Sequence, residues 1–555
     1  MKNLRMRSRG ALIAGIMLIA LALVLTACGS KSNTGTSSSS SSTPKAGGTY
    51  NYPLDGEPVG IAPNTYSESI GYNVVRQIFE GLFKYKVSAD GSTMQTVPNL
   101  CTKFTVSPDA KVFTFTIRQG VYFQPPVNTE VTAADVVASW NAASNSKYWI
   151  AGTPGYIFAP IVGTDGTGAA KHGLTGVKAL DKWTVQVTLK YPFAEFPVTL
   201  GHPITAVWPV AYAMKEGIKA FDQKPIGTGP FILSKWVHNQ EVDLVKNPHW
   251  WNASATNGPF VDAIHMPEFA ETSTEWLAFQ AGNIDFTSVP VGQVASSEAM
   301  AASKGWIAKK WPLLAIYDIN FNWKDPVVGG TSGLPLRQAL SYSVDRNAVI
   351  NTVQEGVDIE PNGLVPIGIP GSNLSTLPYP YDTAKAKQIV SGLGTVPALT
   401  LSYNTGAGHD KILAPVQAGW QAIGLKVNMS GLEWGTFLTK GSQGKLQIYR
   451  LGWSADYPSM DNFLYPLYYS TQSAQNTFTG YANPTVDKYL DQARGTVDQT
   501  QRLQLYAQAE KLILADAPTI PLYFYREYRI FDTRVDGQQH DPMGSADMNL
   551  VWVAK

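Results

Sequence analysis

The chain has 555 residues, of which 44% are apolar and 15% charged, and its formal net charge is +1. This near-neutral balance argues against a nucleic-acid partner or a polybasic membrane surface, because both need an excess of Lys and Arg. Only 2 Cys residues are present, so the chain cannot build a disulfide framework or a cysteine metal site. Aromatic residues are abundant instead, with 15 Trp, 26 Tyr and 21 Phe.

The N-terminal segment predicts secretion. Basic residues occur between Lys2 and Arg9, an apolar core spans Ala11 to Leu25, and Thr26 and Ala27 precede Cys28. The apolar core is too short for a good membrane span. Leu-x-Ala-Cys resembles the bacterial lipobox, which predicts a signal peptide at 1–27 and acylation of Cys28. An ordinary cleaved signal with a chance cysteine is the alternative.

A serine-rich segment follows the predicted lipidation site. Residues 28–45 contain the run Ser37 to Ser42, whose composition cannot bury enough apolar area to offset the entropy of ordering it. We predict a flexible tether from a lipid anchor on the extracytoplasmic face of the bacterial cell membrane, since two or more acyl chains anchor stably. With Cys28 acylated, Cys101 has no internal disulfide partner, and we expect it to be a small buried apolar residue.

The first clear elements lie beyond the tether, in about 510 residues that suffice for two or three domains. Alternating apolar and polar residues predict half-buried strands at Lys111 to Arg118 and Trp183 to Lys190. Between them, Thr132 is followed three residues later by Asp135, a capping pattern that predicts a helix running to Trp140.

The second half of the chain also mixes helices with strands. Helices are predicted at Leu336 to Val353, introduced by Pro335, and at Gln499 to Asp516, which ends before Pro518. Strand-like segments lie between them at 398–403, 425–429 and 446–451. Strands that alternate with helices indicate α/β domains.

Catalytic motifs are poorly represented. The sequence has no Gly-x-Ser-x-Gly elbow, no His-Glu-x-x-His and no P-loop. Gly227-Thr228-Gly229 is followed by Pro230, which favours a tight turn over a nucleotide-binding loop. No pair among the seven histidines has helical ligand spacing, although distant segments can still assemble a metal site. We therefore predict no enzyme activity, no cofactor and no metal.

Six sequence blocks occur in the order found in one family. The first two blocks are 77–82 and 106–140, and the third is 227–231 together with the later Asn247, Pro248 and Trp251. The last three are 281–285, 336–346, and Gly452-Trp453 with Ala455-Asp456-Tyr457. Together they resemble the extracytoplasmic solute-binding proteins of peptide and nickel ATP-driven (ABC) importers, the oligopeptide- and dipeptide-binding proteins of family 5. The resemblance covers Gly48 to Phe531. One departure is Gln124-Pro125-Pro126 after Phe123, where the family usually has a tight turn, and it indicates a loop variation without a binding role.

The resemblance implies an α/β, periplasmic-binding-protein-like fold, with two lobes around a ligand cleft, a hinge and an extra inserted subdomain. Lobe I would be discontinuous, from 46–81, 204–318 and 523–555, with the inserted subdomain at 82–203 and lobe II at 319–522. Closure by rotation about the hinge would precede docking onto the membrane permease, which works with an ATPase subunit. We expect a monomer that the tether holds near the permease.

A free peptide presents an ammonium, a carboxylate and unpaired backbone groups, so its receptor needs an acid, a base and a strand. The segment Arg450 to Tyr457 can supply all three. The resemblance implies that Asp456 holds the ammonium, that Arg450 meets the carboxylate, and that the backbone between them, at Gly452 and Trp453, pairs with the ligand. It further implies that Trp434 lines side-chain pockets and that Tyr66 to Ser69 is a strand at the ligand's other edge.

Each of these residues has a simpler interpretation. Asp456 before Tyr457-Pro458 suits a turn, Arg450 suits a surface ion pair, and Trp434 and Trp453 suit the core. Six residues at about 3.3 Å each separate Asp456 from Arg450 by roughly 20 Å on a straight strand. Both side chains can lean inward, so the ligand between them is shorter and has about two to five residues.

Two other functions stay open from the sequence. The same fold can carry another cargo, such as an oligosaccharide, a nickel complex, haem or a small amine. The charged pair of Asp456 and Arg450 favours the peptide over a sugar, which needs neither charge. The more distant alternative is a cell-surface hydrolase, which the missing nucleophile and metal motifs disfavour.

Overall fold

The computed structural model describes residues 43–66, 69–88, 93–148, 154–290, 292–373, 375–538 and 540–554. The predicted signal peptide and Cys28 lie outside these ranges. Among the helices within them, none combines the length and the apolar character that a membrane crossing requires.

The strands of the described residues are short except for two. In chain order they are β1 (Thr49–Asn51), β2 (Phe83–Val87), β3 (Met94–Pro98), β4 (Cys101–Val106), β5 (Val112–Ile117), β6 (Val177–Asp181), β7 (Thr184–Thr188), β8 (Phe231–Val237), β9 (Glu241–Lys246), β10 (Ala263–Pro267), β11 (Phe286–Ser288), β12 (Ile307–Phe321), β13 (Leu399–Asn404), β14 (Val427–Leu432), β15 (Ile448–Arg450), β16 (Trp453–Ser454), β17 (Thr519–Phe531), β18 (Val535–Asp536) and β19 (Trp552–Val553).

The helices are more numerous after the middle of the chain. In chain order they are α1 (Ser69–Ile78), α2 (Ala133–Ala143), α3 (Phe196–Thr199), α4 (Val210–Glu216), α5 (Ile218–Gln223), α6 (Thr272–Gln280), α7 (Val294–Lys304), α8 (Leu334–Tyr342), α9 (Arg346–Ala348), α10 (Thr383–Ser391), α11 (His409–Ala422), α12 (Trp434–Ser442), α13 (Met460–Tyr468), α14 (Ser473–Asn476), α15 (Pro484–Gly495) and α16 (Gln499–Asp516). Single 3₁₀ turns lie at Ser146–Tyr148, Gly155–Phe158, Pro203–Thr205 and Met548–Leu550.

The strands form three larger sheets. One has the order β1-β10-β9-β8, the second β4-β5-β7-β6, and the third β11-β17-β12-β15-β13-β14 with β16 paired to β12. Strand β13 pairs in parallel with β14 and β15, and helices connect these strands. The mixture of helices and sheets confirms the predicted α/β class.

The predicted strands and capped helix are confirmed in the first half of the chain. In β5 the side chains of Phe113, Phe115 and Ile117 are buried and alternate with more exposed residues. Helix α2 begins after Thr132, whose backbone N–H and hydroxyl donate to the Asp135 carboxylate at 2.8 and 2.7 Å. Cys101 is fully buried, and burial raises the pKa of its thiol to about 11, so it is the inert apolar residue that we expected.

One predicted helix is wrong in part. The segment 336–353 is not continuous, because α8 ends at Tyr342 and α9 begins at Arg346. The Asp345 carboxylate accepts a hydrogen bond from the Ala348 backbone N–H at 2.9 Å and thereby starts a new helix. A π-helical turn, Val349–Val353, completes the segment. Gln499–Asp516, in contrast, is the single helix α16, as predicted.

Three of the sequence blocks meet around the buried Glu80. Its Oε2 accepts hydrogen bonds from Trp251 Nε1 at 2.8 Å and from Thr228 Oγ1 at 2.9 Å. A Cβ at Gly227 would lie 2.0 Å from the carbonyl oxygen of Ile78, so only glycine lets this turn pack on the end of α1. The Gly227 motif is thus the tight turn that we predicted, and its role is structural.

The two long strands β12 and β17 pair with each other across the centre of the molecule. Their register shifts between Pro312 and Ile316 and again between Tyr317 and Asp318. The predicted lobe boundaries at 318 and 522 fall inside these strands. The boundaries stay a prediction, and the two register shifts interrupt the regular pairing close to residue 318.

Candidate functional site

The segment Arg450 to Asp456 lies along one edge of β12. Ile319 pairs with Arg450, Ile316 with Trp453, and Ala315 with the following Ser454, all antiparallel. Within the described part of the chain, β16 pairs with β12 alone, so its second edge has no strand beside it. An unpaired edge offers backbone N–H and C=O groups to an extended ligand.

Asp456 ends this segment in a partly buried position. Its carboxylate accepts a short hydrogen bond from the hydroxyl of Tyr156, and its backbone N–H donates to Asn462 Oδ1 at 2.9 Å. The hydroxyl of Tyr85 donates to the Asp456 carbonyl oxygen at 3.3 Å. Among the described residues, no Lys, Arg or His forms an ion pair with this carboxylate.

The surroundings of Asp456 within the described residues determine how readily it ionises. Burial raises the pKa of Asp456 to about 6, and the hydrogen bonds from Tyr156 and Asn462 only partly oppose that rise. A carboxylate in this state gains most from a ligand that brings positive charge and hydrogen-bond donors. An ammonium group has both properties.

Tyr156 was missed by the sequence analysis. It lies in the 3₁₀ turn Gly155–Phe158, about 300 residues from Asp456, and no motif marks it. Its hydroxyl also accepts a hydrogen bond from Asn462 Nδ2 at 3.4 Å. Asn462 in turn accepts from Trp453 Nε1 at 3.1 Å, so one fully buried amide links the strand, the carboxylate and the turn.

Arg450 stands at the other end of the segment. Its guanidinium lies over the ring of Tyr317 at 4.6 Å and donates to the hydroxyl of Tyr525 at 3.0 Å. The Nε–H of Arg450 is buried without a hydrogen-bond partner. Asp318 is near, but burial raises its pKa well above the usual range, which favours its neutral form. Among the described residues, Arg450 has hydrogen bonds to Asn404 and Tyr525 and no carboxylate within ion-pair distance.

Gly452, Trp453 and Trp434, which lie between or near the two charged residues, differ in how far they are buried. A Cβ on Gly452 would lie 2.3 Å from the carbonyl oxygen of Ile316, so this glycine permits the close approach of β12. Trp453 is half-buried at the edge of the core. Trp434 begins α12 and is 46% exposed, which excludes the core interpretation that the sequence left open for it.

Three of the predicted ligand-binding residues, Tyr457, Tyr66 and Ser69, lie outside the segment from Arg450 to Asp456. Tyr457 is buried and its hydroxyl donates to Asp461 at 2.8 Å, so its side chain belongs to a neighbouring network. Tyr66 is buried with its hydroxyl 3.2 Å from His202 Nδ1. Ser69 is exposed, and the expectation of a strand there is wrong, because Ser69 is the first residue of α1.

The segment before α3 packs over the residues that follow Asp456. Glu195 accepts a hydrogen bond from Ser459 Oγ at 2.7 Å and lies 3.4 Å from Arg502 Nε. The backbone N–H of Ala194 donates to the Arg494 carbonyl oxygen at 2.7 Å. These contacts and Tyr156 enclose the Asp456 end of the segment.

One group of side chains has the composition of a metal site. Glu241, Asp243 and His265 lie on neighbouring strands of the first sheet, with their ligand atoms within 4.8 Å of one another. Here His265 Nδ1 is 2.7 Å from Asp243 Oδ1, and Lys235 forms an ion pair with Glu241. The sequence analysis had left open such a group from distant segments. It belongs to a different sheet from Asp456.

Comparisons with known proteins agree with this architecture. Oligopeptide-binding protein OppA of Bacillus subtilis is 28% identical over 514 residues, which cover 88% of this chain and 90% of that protein. Heme-binding protein A of Haemophilus influenzae is 26% identical over 514 residues, covering 89% of this chain and 90% of that protein. The solved structure of DppA from Helicobacter pylori with the peptide STSA has a TM-score of 0.75 at 24% identity, and covers 92% of this chain and 99% of that one.

The structural likeness establishes the fold. Since DppA is a periplasmic binding protein, the two-lobed α/β fold implied by the sequence blocks is confirmed. The family described as "Bacterial extracellular solute-binding proteins, family 5 Middle" matches residues 95–475, which is more than half of the chain. The protein therefore belongs to the family 5 extracellular solute-binding proteins of ABC importers.

Proposed function

We propose that this protein is the lipid-anchored receptor of an ABC importer and captures short peptides with a free N-terminus. The observation that carries the proposal is the carboxylate of Asp456, which is partly buried beside tyrosines and lacks a cationic partner among the described residues. A receptor for peptide ammonium groups needs such an acid. The relatives named for oligopeptide and dipeptide binding support the same cargo.

The peptide would lie extended along the second edge of β16. Its ammonium would bind Asp456, its backbone would pair with the strand near Gly452 and Trp453, and its carboxylate would meet Arg450. The Cα positions of the two charged residues would be roughly 20 Å apart on a straight strand, and because both side chains can lean inward the ligand span would be shorter, about two to five residues. The exposed ring of Trp434 would contact side chains of the longer peptides.

Closure of the cleft would complete the site. Tyr156 and Glu195 come from the predicted inserted subdomain, and both contact the segment that follows β16. Rotation about the irregular part of β12 and β17 would separate these contacts and open the cleft. The ligand would stabilise the closed form because it binds groups from both sides.

The segment that precedes the fold would place the receptor at the membrane. Residues 1–27 would be removed as a signal peptide, Cys28 would carry the acyl chains, and the serine-rich tether up to residue 45 would hold the cleft near its permease and ATPase. A tether raises the effective concentration of the receptor without changing its affinity.

Calorimetry with matched peptides tests the cargo. We expect trialanine to bind, and we expect N-acetylation of trialanine or the substitution Asp456→Asn to weaken binding about 30-fold or more, since the loss of one partner from a desolvated charge pair is costly. Asp109→Asn, at an exposed carboxylate in the turn between β4 and β5, is the control and should bind as the parent does. Equal affinity for free and acetylated peptide, or no binding of any free-amino peptide from two to five residues, would refute the proposal.

A further inference from the structure

A cavity of about 270 Å³ lies beside β16 and the part of β12 that pairs with it. Its lining includes Ser454 and Ala455, the first residue of α1, Ser69, and the charged residues Asp55, Glu527 and Arg529. Ser454 and Ala455 are one and two residues from Asp456. The cavity is thus continuous with the strand to which the ligand backbone is assigned.

Asp55, Glu527 and Arg529 form the charged part of the cavity wall. Arg529 donates to Glu527 Oε1 at 2.6 Å, lies 3.7 Å from Asp55 Oδ2 and lies 3.9 Å from the buried Glu275. One guanidinium therefore faces three carboxyl groups. Burial raises the pKa of Glu275, but even a neutral Glu275 leaves two carboxylates, Asp55 and Glu527, against a single cation.

The other titratable groups nearby do not reverse this balance. His540 lines the cavity, and burial together with Arg529 and Lys309 lowers its pKa to about 3, so the ring is neutral. Lys309 is exposed and lies over the ring of Phe531 at 5.5 Å. Asp541 is paired with Arg76 at 2.6 Å. The wall keeps an excess of negative charge.

Glu527 also keeps unused acceptor capacity. Both short contacts from Arg529 go to Oε1, whereas Oε2 is buried and has no hydrogen-bond partner among the described residues. A buried carboxylate oxygen without a donor is unfavourable unless a ligand supplies one. Asp55 is 59% exposed at the rim and would face the same ligand group.

From this arrangement we propose that the cavity is a subsite for a positively charged side chain, lysine or arginine, of the cargo peptide. The inference rests on the proposed function. With the ammonium at Asp456 and a rise of about 3.3 Å per residue, Ser454 and Ala455 face the second and third residues of the peptide. The preferred cargo is then a short peptide with a basic residue at one of these positions.

The test compares tetrapeptides that differ in one side chain. Alanine tetrapeptides with lysine, norleucine or glutamate at position two or three are titrated into the protein by calorimetry. Norleucine has the same aliphatic chain without the charge. We expect lysine to bind about tenfold tighter than norleucine at one of the two positions, and glutamate to bind more weakly than both.

Two variants test whether Glu527 and Asp55 cause the preference for lysine over norleucine. Glu527→Gln should abolish the preference for lysine over norleucine, and Asp55→Asn should reduce it by a smaller factor, because Asp55 is more exposed. Asp55 lies at the surface, so its substitution leaves the fold intact even if Glu527→Gln disturbs Arg529. Glu216→Gln, an exposed carboxylate on α4, should leave the preference unchanged.

The outcomes separate this inference from the proposed function. If peptides bind but lysine and norleucine bind equally at both positions, or if Glu527→Gln and Asp55→Asn both keep the full preference, the subsite is refuted and peptide binding stands. If no free-amino peptide binds, the proposed function and the subsite both fail.

Discussion

Asp456 and Asp461 lie five residues apart and have opposite electrostatic surroundings. Asp461 is fully buried, accepts two hydrogen bonds from Arg494 at 2.8 and 3.0 Å, and accepts one each from Tyr506 and Tyr457 at 2.8 Å. Asp456 has hydroxyl and amide partners but no cation among the described residues. A carboxylate whose charge is matched inside the protein serves the fold, whereas one whose charge is unmatched is available to a ligand.

The largest expected effect concerns the stability of the matched site. Arg494→Met leaves the Asp461 carboxylate buried without its cation, and breaking a buried pair by removal of one partner costs about 3–5 kcal/mol. We expect the urea midpoint of unfolding to fall accordingly, as followed by tryptophan fluorescence. Asp456→Asn removes an unmatched charge, so it should change the midpoint little or raise it.

Arg494→Met and Asp456→Asn together test whether Asp461 stabilises the fold and Asp456 does not. If Asp456→Asn destabilises the protein as strongly as Arg494→Met, then Asp456 has a structural role equal to that of Asp461. The contrast between the two aspartates would then carry no information about binding.

The second effect is the pH dependence of peptide binding. Asp456 must be ionised to pair with an ammonium, and its pKa of about 6 in the free protein falls when the cation binds. Affinity should therefore decrease below about pH 6, by up to about tenfold per pH unit, and remain high until the peptide ammonium itself deprotonates near pH 8.

Calorimetry at pH 5, 6 and 7 in buffers of different ionisation enthalpy measures both the affinity and the proton released on binding. At pH 5 the parent protein should release close to one proton per peptide, and Asp456→Asn should release none and show a flat profile. A flat profile in the parent protein would mean that another group holds the ammonium.

The part of the fold that depends on local pattern was predictable from sequence. Alternating residues in β5 and the capping pair Thr132 and Asp135 specify their own conformation through neighbours in the chain. The break at Asp345 within the predicted helix was not predictable, because its apolar spacing continues through the break and the carboxylate can cap or face solvent.

In the candidate site, too, sequence patterns do not reveal contacts between residues that are far apart in the chain. The segment around Asp456 carries a recognisable pattern, but Tyr156 makes its contact across about 300 residues and belongs to an irregular turn without a motif. That no described residue places a cation beside Asp456 is likewise a property of the tertiary arrangement. Sequence identified the acid, and only the packing distinguishes it from Asp461.

The smallest expected effect concerns Trp434. This side chain is 46% exposed and lies against Phe437 with ring centroids 5.8 Å apart, so Trp434→Ala should change the free energy of unfolding by less than about 0.5 kcal/mol. If the ring contacts ligand side chains, the same variant should weaken binding of peptides that contain phenylalanine about threefold to tenfold, and trialanine less. Tyr381→Ala, at an aromatic side chain 53% exposed, is the matched control for loss of exposed apolar area.

For each variant, the informative quantity is the affinity for the phenylalanine peptide divided by the affinity for trialanine. Both variants remove an exposed ring, so a general effect on solubility or closure would appear in both and for both peptides. Only a contact between Trp434 and the ligand predicts a loss that is confined to Trp434→Ala and grows with the aromatic content of the peptide. Equal affinities of the parent protein and Trp434→Ala for the phenylalanine peptides would show that the exposed ring does not contact the ligand.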